Sequence, residues 1–313
     1  MNATLQRQLT STLSVSAGYV GSLGRHLPVQ AEQNYPLSEP VCVGSQTINC
    51  ANTGNYNSRR PIEPGILGAI SLLSGIVNSD FHSLQTTVEK RLSRGVSFRG
   101  YYIFGKGMEG TSLQGSTVTG VMDPRNYMLD RARNAGDAQH RFVVSAVWHT
   151  DYLHSGPRFA REIANGWSVS PIVTLRSGTP FSISSGVDSN LDGSSTDRAN
   201  LVGNPFLSAG RPRSQVVAQW FNTAAFAAPP LGTDGTSGRN ILDGPGTKIV
   251  DLSIFRDFKI REAIILQFRG EMTNAFNFVN LSSPVSTLTS GNFGQLTSAG
   301  AMRQSQLGLR LTF

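Results

Sequence analysis

Charged residues are scarce in this sequence. Asp, Glu, Lys and Arg make up 15% of its 313 residues, whereas soluble globular domains carry roughly a quarter. The 27 basic residues outnumber the 20 acidic ones, for a net charge of +7, but they are scattered singly along the chain. Because proteins that follow nucleic-acid phosphates gather their basic residues into runs or onto one face, we expect no nucleic-acid partner.

Long apolar runs are missing as well. No stretch approaches the roughly 18 to 20 consecutive apolar residues that a membrane-spanning helix requires, so a helical membrane protein is excluded. The first residues, from Met1 to Arg7, lack a basic segment followed by an apolar one. We therefore expect no secretion signal in the sequence as it stands, and the chain fits a fragment of a longer protein.

The sequence has two cysteines, Cys42 and Cys50. Two are too few for a disulfide framework or a four-ligand zinc site. Both lie in a polar, turn-rich segment, where they fit a local disulfide formed in an oxidising compartment.

What the sequence does have is alternation with period two, the pattern of a β-strand with two unlike faces. In the last segment, apolar residues at Leu307, Leu309, Leu311 and Phe313 alternate with other types. Similar segments bring the total to about eight strands, at residues 5–22, 80–92, 95–106, 139–153, 164–177, 248–258, 262–273 and 303–313.

The connections between these segments alternate strictly between short and long. The short ones are 92–95, 153–164 and 259–262, and the long ones are 23–79, 107–138, 178–246 and 276–302. Compact soluble domains seldom contain several long irregular loops, whereas outer-membrane barrels combine short periplasmic turns with long extracellular loops. The predicted fold is all-β: an antiparallel transmembrane β-barrel segment of about eight strands, incomplete on its own, with both chain ends on the short-turn side. A soluble β-sandwich, which also buries aromatic residues, is the alternative.

The two faces of such strands have different surroundings, because backbone groups in hydrocarbon must all be paired and only a closed barrel achieves this with strands. The apolar face is expected to contact lipid and the polar face a watery or plugged lumen. Aromatic residues near strand ends fit interfacial girdles: Tyr19, Tyr101, Tyr102, Trp148, Tyr152, Trp167 and Phe276. Four charged residues are expected to face the lumen and to pair across strands, stabilising by roughly 0.2 to 1 kcal/mol per pair: Asp251, Asp257, Arg269 and Glu271. Pro171 lies inside a predicted strand and indicates a bulge or a misplaced strand boundary.

Several short pieces, in order along nearly the whole chain, resemble the C-terminal barrel of TonB-dependent receptors, specifically the Oar-like group with a carboxypeptidase-regulatory-like N-terminal domain. They are Ala17 to Leu27, His82 to Gln85, Lys90 to Gly95, Gln139 to Phe142, Gly166-Trp167, Ser177 to Phe181, Gly238 to Asn240, Gly244 to Gly246, Arg269 to Glu271 and Arg303 to Phe313. The resemblance implies that Phe313, ending an alternating strand, is the signal read by the barrel assembly machinery. Nothing here resembles the family's plug domain or TonB box, so the chain is expected to be the C-terminal part of the receptor barrel over residues 1–313.

One loop segment suggests a metal. Asp188, Asn190 and Asp192 supply oxygen atoms at positions one, three and five of a calcium-loop pattern, and Gly193 stands at position six. Position twelve is Ala199 rather than the usual Glu, so Asp197 is the candidate for the missing ligand. The alternative is a solvated turn, in which Asp and Asn favour tight backbone geometry. We expect no cofactor; calcium in this extracellular loop is the one candidate.

The remaining motifs give little support for nucleotide binding, a metal site or catalysis. Gly105 to Gly110 formally matches a dinucleotide fingerprint, but no amphipathic helix follows to hold a pyrophosphate, so a flexible loop is predicted. The histidines show no metal spacing and no nucleophile elbow stands near them. A Ser-His-Asp site assembled across strands remains open in principle, but we expect no enzyme.

Two functions fit these patterns. The first is an outer-membrane receptor segment for TonB-dependent uptake of a bulky nutrient, with capture loops around 42–50, 123–137 and 188–243. Its partners would be outer-membrane lipid and lipopolysaccharide, the barrel assembly machinery, the plug domain, the TonB complex and an unidentified extracellular ligand. The second is an autonomous outer-membrane barrel or a secreted β-rich adhesin that uses the same loops.

Overall fold

Nine long strands follow one another in a single antiparallel sheet. The computed structural model describes residues 1–44, 50–110, 121–194, 197–261 and 264–313. The strands are β1 Asn2–Gln8, β2 Leu13–Glu32, β3 Ser71–Ser93, β4 Val96–Glu109, β5 His140–Thr150, β6 Trp167–Arg176, β7 Thr247–Arg261, β8 Ile264–Thr273 and β9 Gln304–Thr312. Each pairs with its neighbours in chain order, and β1 and β9 are not paired with each other in the described residues, so the sheet is open.

The remaining elements are short and lie in the connections. They are the helices α1 Arg158–Ala164 and α2 Arg213–Ala218, the 3-10 turns Tyr56–Arg59, Tyr127–Asp130 and Thr223–Ala225, and the two-residue strands Ala132–Arg133, Pro180–Phe181, Asn200–Leu201, Phe226–Ala227 and Leu242–Asp243. No helix in the described residues is long and apolar enough to cross a membrane. The predicted antiparallel all-β class is confirmed.

The first predicted segment, 5–22, is two strands rather than one. β1 and β2 are joined by a turn at Leu9–Thr12, where the Thr10 hydroxyl accepts a 3.1 Å hydrogen bond from the backbone N–H of Leu13. The sheet therefore has nine long strands, where about eight were predicted. As a result β1 begins at the long-loop end of the sheet, not at the short-turn end where the prediction placed it, whereas Phe313 follows β9 at the short-turn end.

The β2–β3 hairpin is longer than a barrel wall needs. β3 has 23 residues, whereas a tilted transmembrane strand needs about 9 to 11. The pairing continues from Leu27↔Val77 to Glu32↔Ser71 after irregularities between Gly24 and Pro28. This outer part of the hairpin was predicted to be loop, and it projects beyond the long-loop end of the sheet.

Register assigns the two faces of the sheet. Residues directly opposite one another in an antiparallel ladder lie on the same face. One face, here called the outer face, is mostly apolar across all nine strands: it includes Leu5, Val15, Ala17, Val88, Phe98, Val144, Trp148, Val169, Val173, Leu252, Ile254, Phe268, Leu307, Leu309 and Leu311. The opposite, inner face carries Gln85, Glu89, Arg99, Arg141, Arg176, Asp251, Asp257, Gln267, Arg269, Glu271 and Arg310.

Pro171 lies within β6, and the prediction of a bulge or a misplaced boundary there was wrong. On one side Pro171 stands opposite Leu252 in the ladder with β7. On the other side the ladder with β5 is interrupted between the pairs Ser145↔Ile172 and Trp148↔Val169, and it resumes in the same register. Because proline has no backbone N–H, the ladder between β5 and β6 loses pairs near Pro171, but no extra residue is inserted into the strand.

The buried core lies outside the sheet. The described residues of the long connections 33–70, 110–139, 177–246 and 274–303, with the outer part of the β2–β3 hairpin, form a layer over the long-loop end of the sheet that we call the cap. Its largest apolar cluster is Ile183, Ala199, Phe221, Ala225, Phe226 and Leu242. A second cluster packs Val29 and Val77 of the hairpin against Val121 and Tyr127. The connections 177–246 and 274–303 therefore share one apolar interior, and the outer part of the hairpin packs against the connection 110–139 in another.

Glycine makes one of the cap's close contacts possible. A Cβ on Gly178 would overlap the carbonyl oxygen of Gly244, whereas a Cβ on Gly291 would meet nothing within 4 Å. We expect Gly178→Ala to destabilise the cap by about 1 to 3 kcal/mol because two backbone segments must separate. Gly291→Ala, the matched control, should change stability by less than about 0.5 kcal/mol. Chemical denaturation followed by Trp220 fluorescence measures both, and equal stability of the two variants would contradict the predicted clash.

Candidate functional site

A buried ion pair joins two connections of the cap. Arg198 Nη1 lies 2.5 Å from Asp130 Oδ1, and these side chains are 6% and 1% exposed. The same guanidinium donates to the carbonyl oxygens of Leu129 and Ser237, and the second oxygen of Asp130 accepts the N–H of Met122. The pair therefore ties the connection before β5 to the one before β7 with nearly every polar atom satisfied.

A second pair ties the cap to the sheet. Arg239 Nη1 lies 3.0 Å from Glu109 Oε1 at the end of β4, and both side chains are nearly buried. Arg239 also donates to the Asp130 carbonyl, and the neighbouring Asn240 donates to the Arg133 carbonyl. Arg133 in turn pairs with Asp137 at 3.1 Å and Asp243 at 2.7 Å.

The predicted dinucleotide segment is part of this junction. Gly105 to Glu109 belongs to β4 and pairs with Ser79 to Ser83 of β3, so the prediction of a flexible loop was wrong for these residues. The following residues 111–116 lie outside the described part of the chain.

The predicted calcium loop lies in the polar interior of the cap. Asp188 accepts hydrogen bonds from the N–H groups of Asp192 and Gly193, and Asp197 accepts from those of Ser189 and Asn190. The Asn190 side chain donates to Tyr35, Met122 and Asp234. Ser195 and Thr196 lie outside the described residues.

The fit of this loop to calcium is limited. In the described residues no group of three His, Cys, Asp or Glu side chains is arranged as metal ligands. The oxygens of Asp188 and Asp192 are engaged with backbone N–H groups of their own loop, and Arg59 donates to the Leu191 carbonyl beside them. Calcium binding thus stays a prediction.

Burial changes the titration of this interior. It raises the pKa of the Asp197 carboxyl to about 6, and it raises the pKa of Asp192 and Asp234 as well. Burial, reinforced by the charge of Asp192, also raises the pKa of the Tyr35 hydroxyl. One oxygen of Asp197 is buried with no hydrogen-bond partner in the described residues, which is why its charged form is disfavoured.

The raised pKa of Asp197 predicts a pH dependence. Because the folded state holds this proton up to about pH 6 and the unfolded state only to about pH 3.8, stability from this group is full below about 3.8 and is lost as the pH rises to about 6. We expect Asp197→Asn to gain stability relative to wild type over that window, by up to about 3 kcal/mol. Denaturation curves for both proteins across the window measure the gain, with Asp257→Asn on the inner face as the control. A constant difference between Asp197→Asn and wild type would contradict the assignment.

Cys42 and Cys50 form a disulfide, with sulfur atoms 1.97 Å apart. Beside it opens a cleft of about 510 Å³, lined by Leu37, Cys50, Ser58, Arg59, Pro61 and Pro64 among others. Arg59 is held by the carbonyl oxygens of Leu37, Asn52 and Leu191. The cleft is therefore lined by prolines, by Cys50 of the disulfide and by an arginine that three carbonyl oxygens hold in place.

The four predicted lumen charges all lie on the inner face, but their contacts differ from the cross-strand ion pairs expected. Arg269 lies 3.6 Å from Glu271 along the same strand. Asp257 accepts a 2.8 Å hydrogen bond from Gln267 across the ladder. Asp251 accepts the N–H of Asn274. Cross-strand pairing was wrong because β7 places Phe255, not an acid, opposite Arg269.

Another inner-face pair, Ser168 and His149, was missed from sequence. The serine oxygen lies 2.6 Å from His149 Nδ1. Ser168 is buried, and no carboxylate hydrogen-bonds to His149 in the described residues. The pair joins β5 and β6, and we assign it no catalytic role.

The chain was compared with known proteins. A family model described as outer membrane beta barrel domain matches residues 1–306. The chain belongs to this family. No curated protein matches it. It is similar to the outer membrane transporter YddB from Escherichia coli, with 9% identity, a TM-score of 0.46, and coverage of 99% of this chain and 31% of that one.

A second similar structure is the ferric-catecholate import receptor Fiu from Escherichia coli K12 in its closed form. It shares 11% identity and a TM-score of 0.37, and the match covers 99% of this chain and 34% of that one. The chain thus spans about a third of the length of these transporters.

As an outer-membrane barrel wall, the sheet has a defined orientation: the short turns face the periplasm and the cap faces the cell exterior. The mostly apolar outer face is the one that a transmembrane barrel turns toward lipid. Trp148 and Trp167 lie on it toward the periplasmic end, and Tyr19 and Tyr102 toward the other end. Tyr101 lies on the inner face, so its predicted place in a girdle was wrong. Phe313 is 93% exposed beyond β9, and its recognition by the assembly machinery stays a prediction.

Proposed function

We propose that this barrel segment belongs to a receptor for TonB-dependent uptake of a bulky nutrient and that its cap captures the ligand. The observation that carries the proposal is the folded cap. The connections 177–246 and 274–303 share an apolar core, and the buried pairs of Arg198 and Arg239 tie 177–246 to the connection 110–139 and to the end of β4. The connection 33–70 joins them through hydrogen bonds from Asn190 to Tyr35 and from Arg59 to Leu191. A surface with this interior presents a fixed shape, which selective capture requires.

The inner face favours transport over adhesion. An adhesin needs only its outer loops, but here polar residues continue down the inner face below the cap, among them Arg141 and Arg176, which stand directly opposite each other. Such a face suits a hydrated lumen or contact with a plug domain. The same proposal includes membership of the Oar-like group. It also includes a plug domain, the TonB complex and lipopolysaccharide as partners, and calcium in the loop at Asp188.

Uptake by the full-length protein tests this function. Cells would be offered labelled ferric siderophores, cobalamin, oligosaccharides and peptides. We expect saturable uptake of one class that disappears in a strain without TonB. Surface binding without uptake would favour the adhesin, and uptake that does not require TonB would favour an autonomous barrel.

A substitution that fills the cleft beside the disulfide tests whether this cleft is the capture site. We expect Ser58→Trp, at the exposed rim of this cleft, to weaken binding of that same compound at least about tenfold by filling its space. Ser208→Trp, on exposed cap surface elsewhere, is the matched control. Equal affinity of the two variants would place capture outside the cleft.

A further inference from the structure

One periplasmic connection is unlike the others. β5 and β6 are joined by residues 151–166, which include helix α1, whereas β3 and β4 are joined by Arg94 and Gly95 alone. Helix α1 is held against the strand ends, where the Trp167 indole N–H donates 2.7 Å to the Ile163 carbonyl. Between the helix and the strands lies a cleft of about 860 Å³.

Basic groups dominate this cleft. Three arginines line it, Arg158, Arg161 and Arg256, with two carboxylates, Asp151 and Glu162. Glu162 is 67% exposed and stands 3.9 Å from Arg256 and 4.0 Å from Arg158, distances too long for tight pairing. The cleft therefore retains net positive charge that its own acids do not neutralise.

Arg256 is the unusual member. Register places it on the lipid-facing side, opposite Trp167 and Phe268, on a face that is otherwise mostly apolar. It is 8% exposed, and its guanidinium carbon lies 5.5 Å from the Trp167 ring and 4.6 Å from the Phe258 ring. Nη1 donates 3.2 Å to the Ile163 carbonyl, but Nε is buried without a partner in the described residues.

Exposed apolar side chains lie in the same connection as the residues that line the cleft. Phe159 is 76% exposed and Ile163 54%, one helical turn apart, and Tyr152 nearby is 54% exposed. Trp167 and Trp148 mark the same level as a membrane interface, where aromatic belts lie. Apolar side chains that enter lipid beside a basic cleft match an amphiphile with an anionic head.

We propose that this cleft binds the headgroup phosphate of an anionic phospholipid in the periplasmic leaflet. The phosphate lies against the guanidinium groups of Arg256 and Arg161, and the acyl chains extend along Phe159, Ile163 and the outer face. This site is independent of nutrient capture, since it lies at the opposite end of the barrel from the cap.

Lipid-selective quenching of Trp167 tests the site. The full-length protein, with every tryptophan except Trp167 replaced by phenylalanine, would be placed in phosphatidylethanolamine bilayers that contain a minor fraction of brominated phosphatidylglycerol or brominated phosphatidylethanolamine. We expect stronger quenching by the brominated phosphatidylglycerol. Arg256→Gln should weaken that preference roughly tenfold, as loss of a charged hydrogen-bond donor does. Because the preference is a ratio, a change in Trp167 emission itself does not affect it.

Two further variants keep the test decisive. Arg161→Gln, on exposed α1, should weaken the preference if Arg256→Gln does not fold. Arg7→Gln, which removes an exposed outer-face arginine near the same end, should leave it intact. An undiminished preference in both Arg256→Gln and Arg161→Gln overturns the proposal. Saturable changes with inorganic phosphate in plain phosphatidylethanolamine bilayers, without a phosphatidylglycerol preference, would assign the site to a free anion and also overturn it.

Discussion

Asp130→Ala is expected to destabilise the cap by about 3 to 5 kcal/mol, because it leaves a buried arginine without its counterion. Arg198 Nη1 lies 2.5 Å from Asp130 Oδ1 with both side chains almost fully buried. The substitution also removes the acceptor of the Met122 N–H. The measurement is hydrogen exchange at amides of the cap interior, such as Ala199, whose N–H bonds to the Ile183 carbonyl.

An exposed ion pair of similar length provides the control. Arg131 Nη2 lies 2.7 Å from Asp80 Oδ1, with 37% and 22% of these side chains exposed. Asp80→Ala should cost at most about 1 kcal/mol, since water already screens that pair. The double variant Asp130→Leu with Arg198→Met should recover most of the loss, because it removes both buried charges. Equal costs for Asp130→Ala and Asp80→Ala would mean that the cap interior is wet and its connections independent.

The strands could be predicted because the alternation that identifies a strand lies within its own consecutive residues. Alternation in β7, β8 and β9 predicts which residues lie on the outer face, and the register of all three strands agrees with that prediction. The turn at Leu9–Thr12 could not be recognised by the usual signals, since it contains neither glycine nor proline. It is built on the Thr10 hydroxyl instead, a weak signal that many threonines share.

The outer part of the β2–β3 hairpin was missed for a different reason. Its residues, with Gly24, Pro28 and Gly75, break the alternation that identifies a strand. These residues form strands because the outer parts of β2 and β3 pair with each other. Val29 and Val77 are also buried against residues of the cap. Pairing and burial of this kind depend on tertiary context rather than on intrinsic preference.

The cap interior lay beyond sequence reasoning altogether. Arg198 and Asp130 are 68 positions apart, and no periodicity links two residues in separate connections. The loop at Asp188 to Asp197 could be recognised in the sequence by its ligand-like spacing. Its burial in a polar cluster depends on Tyr35 and Asp234, which lie in other parts of the chain and are not part of that pattern. A resemblance to receptor barrels predicted where the long connections lie, not that they fold together.

Leu309→Arg is expected to destabilise the membrane-inserted barrel by about 2 to 4 kcal/mol, because it places a charge on the lipid-facing surface near the bilayer midplane. Leu309 lies one position from the centre of the nine-residue strand β9. It stands opposite Phe268 on the outer face and is 72% exposed. The loss is measured by denaturant titration of the full-length protein folded into lipid vesicles.

Gln306→Arg on the same strand separates lipid exposure from a general intolerance of β9 to arginine. Gln306 lies on the inner face directly opposite Glu271, so an arginine there enters water beside an opposite charge and should change stability by less than about 1 kcal/mol. The orientation of the whole sheet rests on this contrast, since every strand is in register with its neighbours and a reversed face at β9 would reverse all nine. If Gln306→Arg costs as much as Leu309→Arg, or more, the apolar face does not contact lipid, and both the capture proposal and the headgroup site lose their basis.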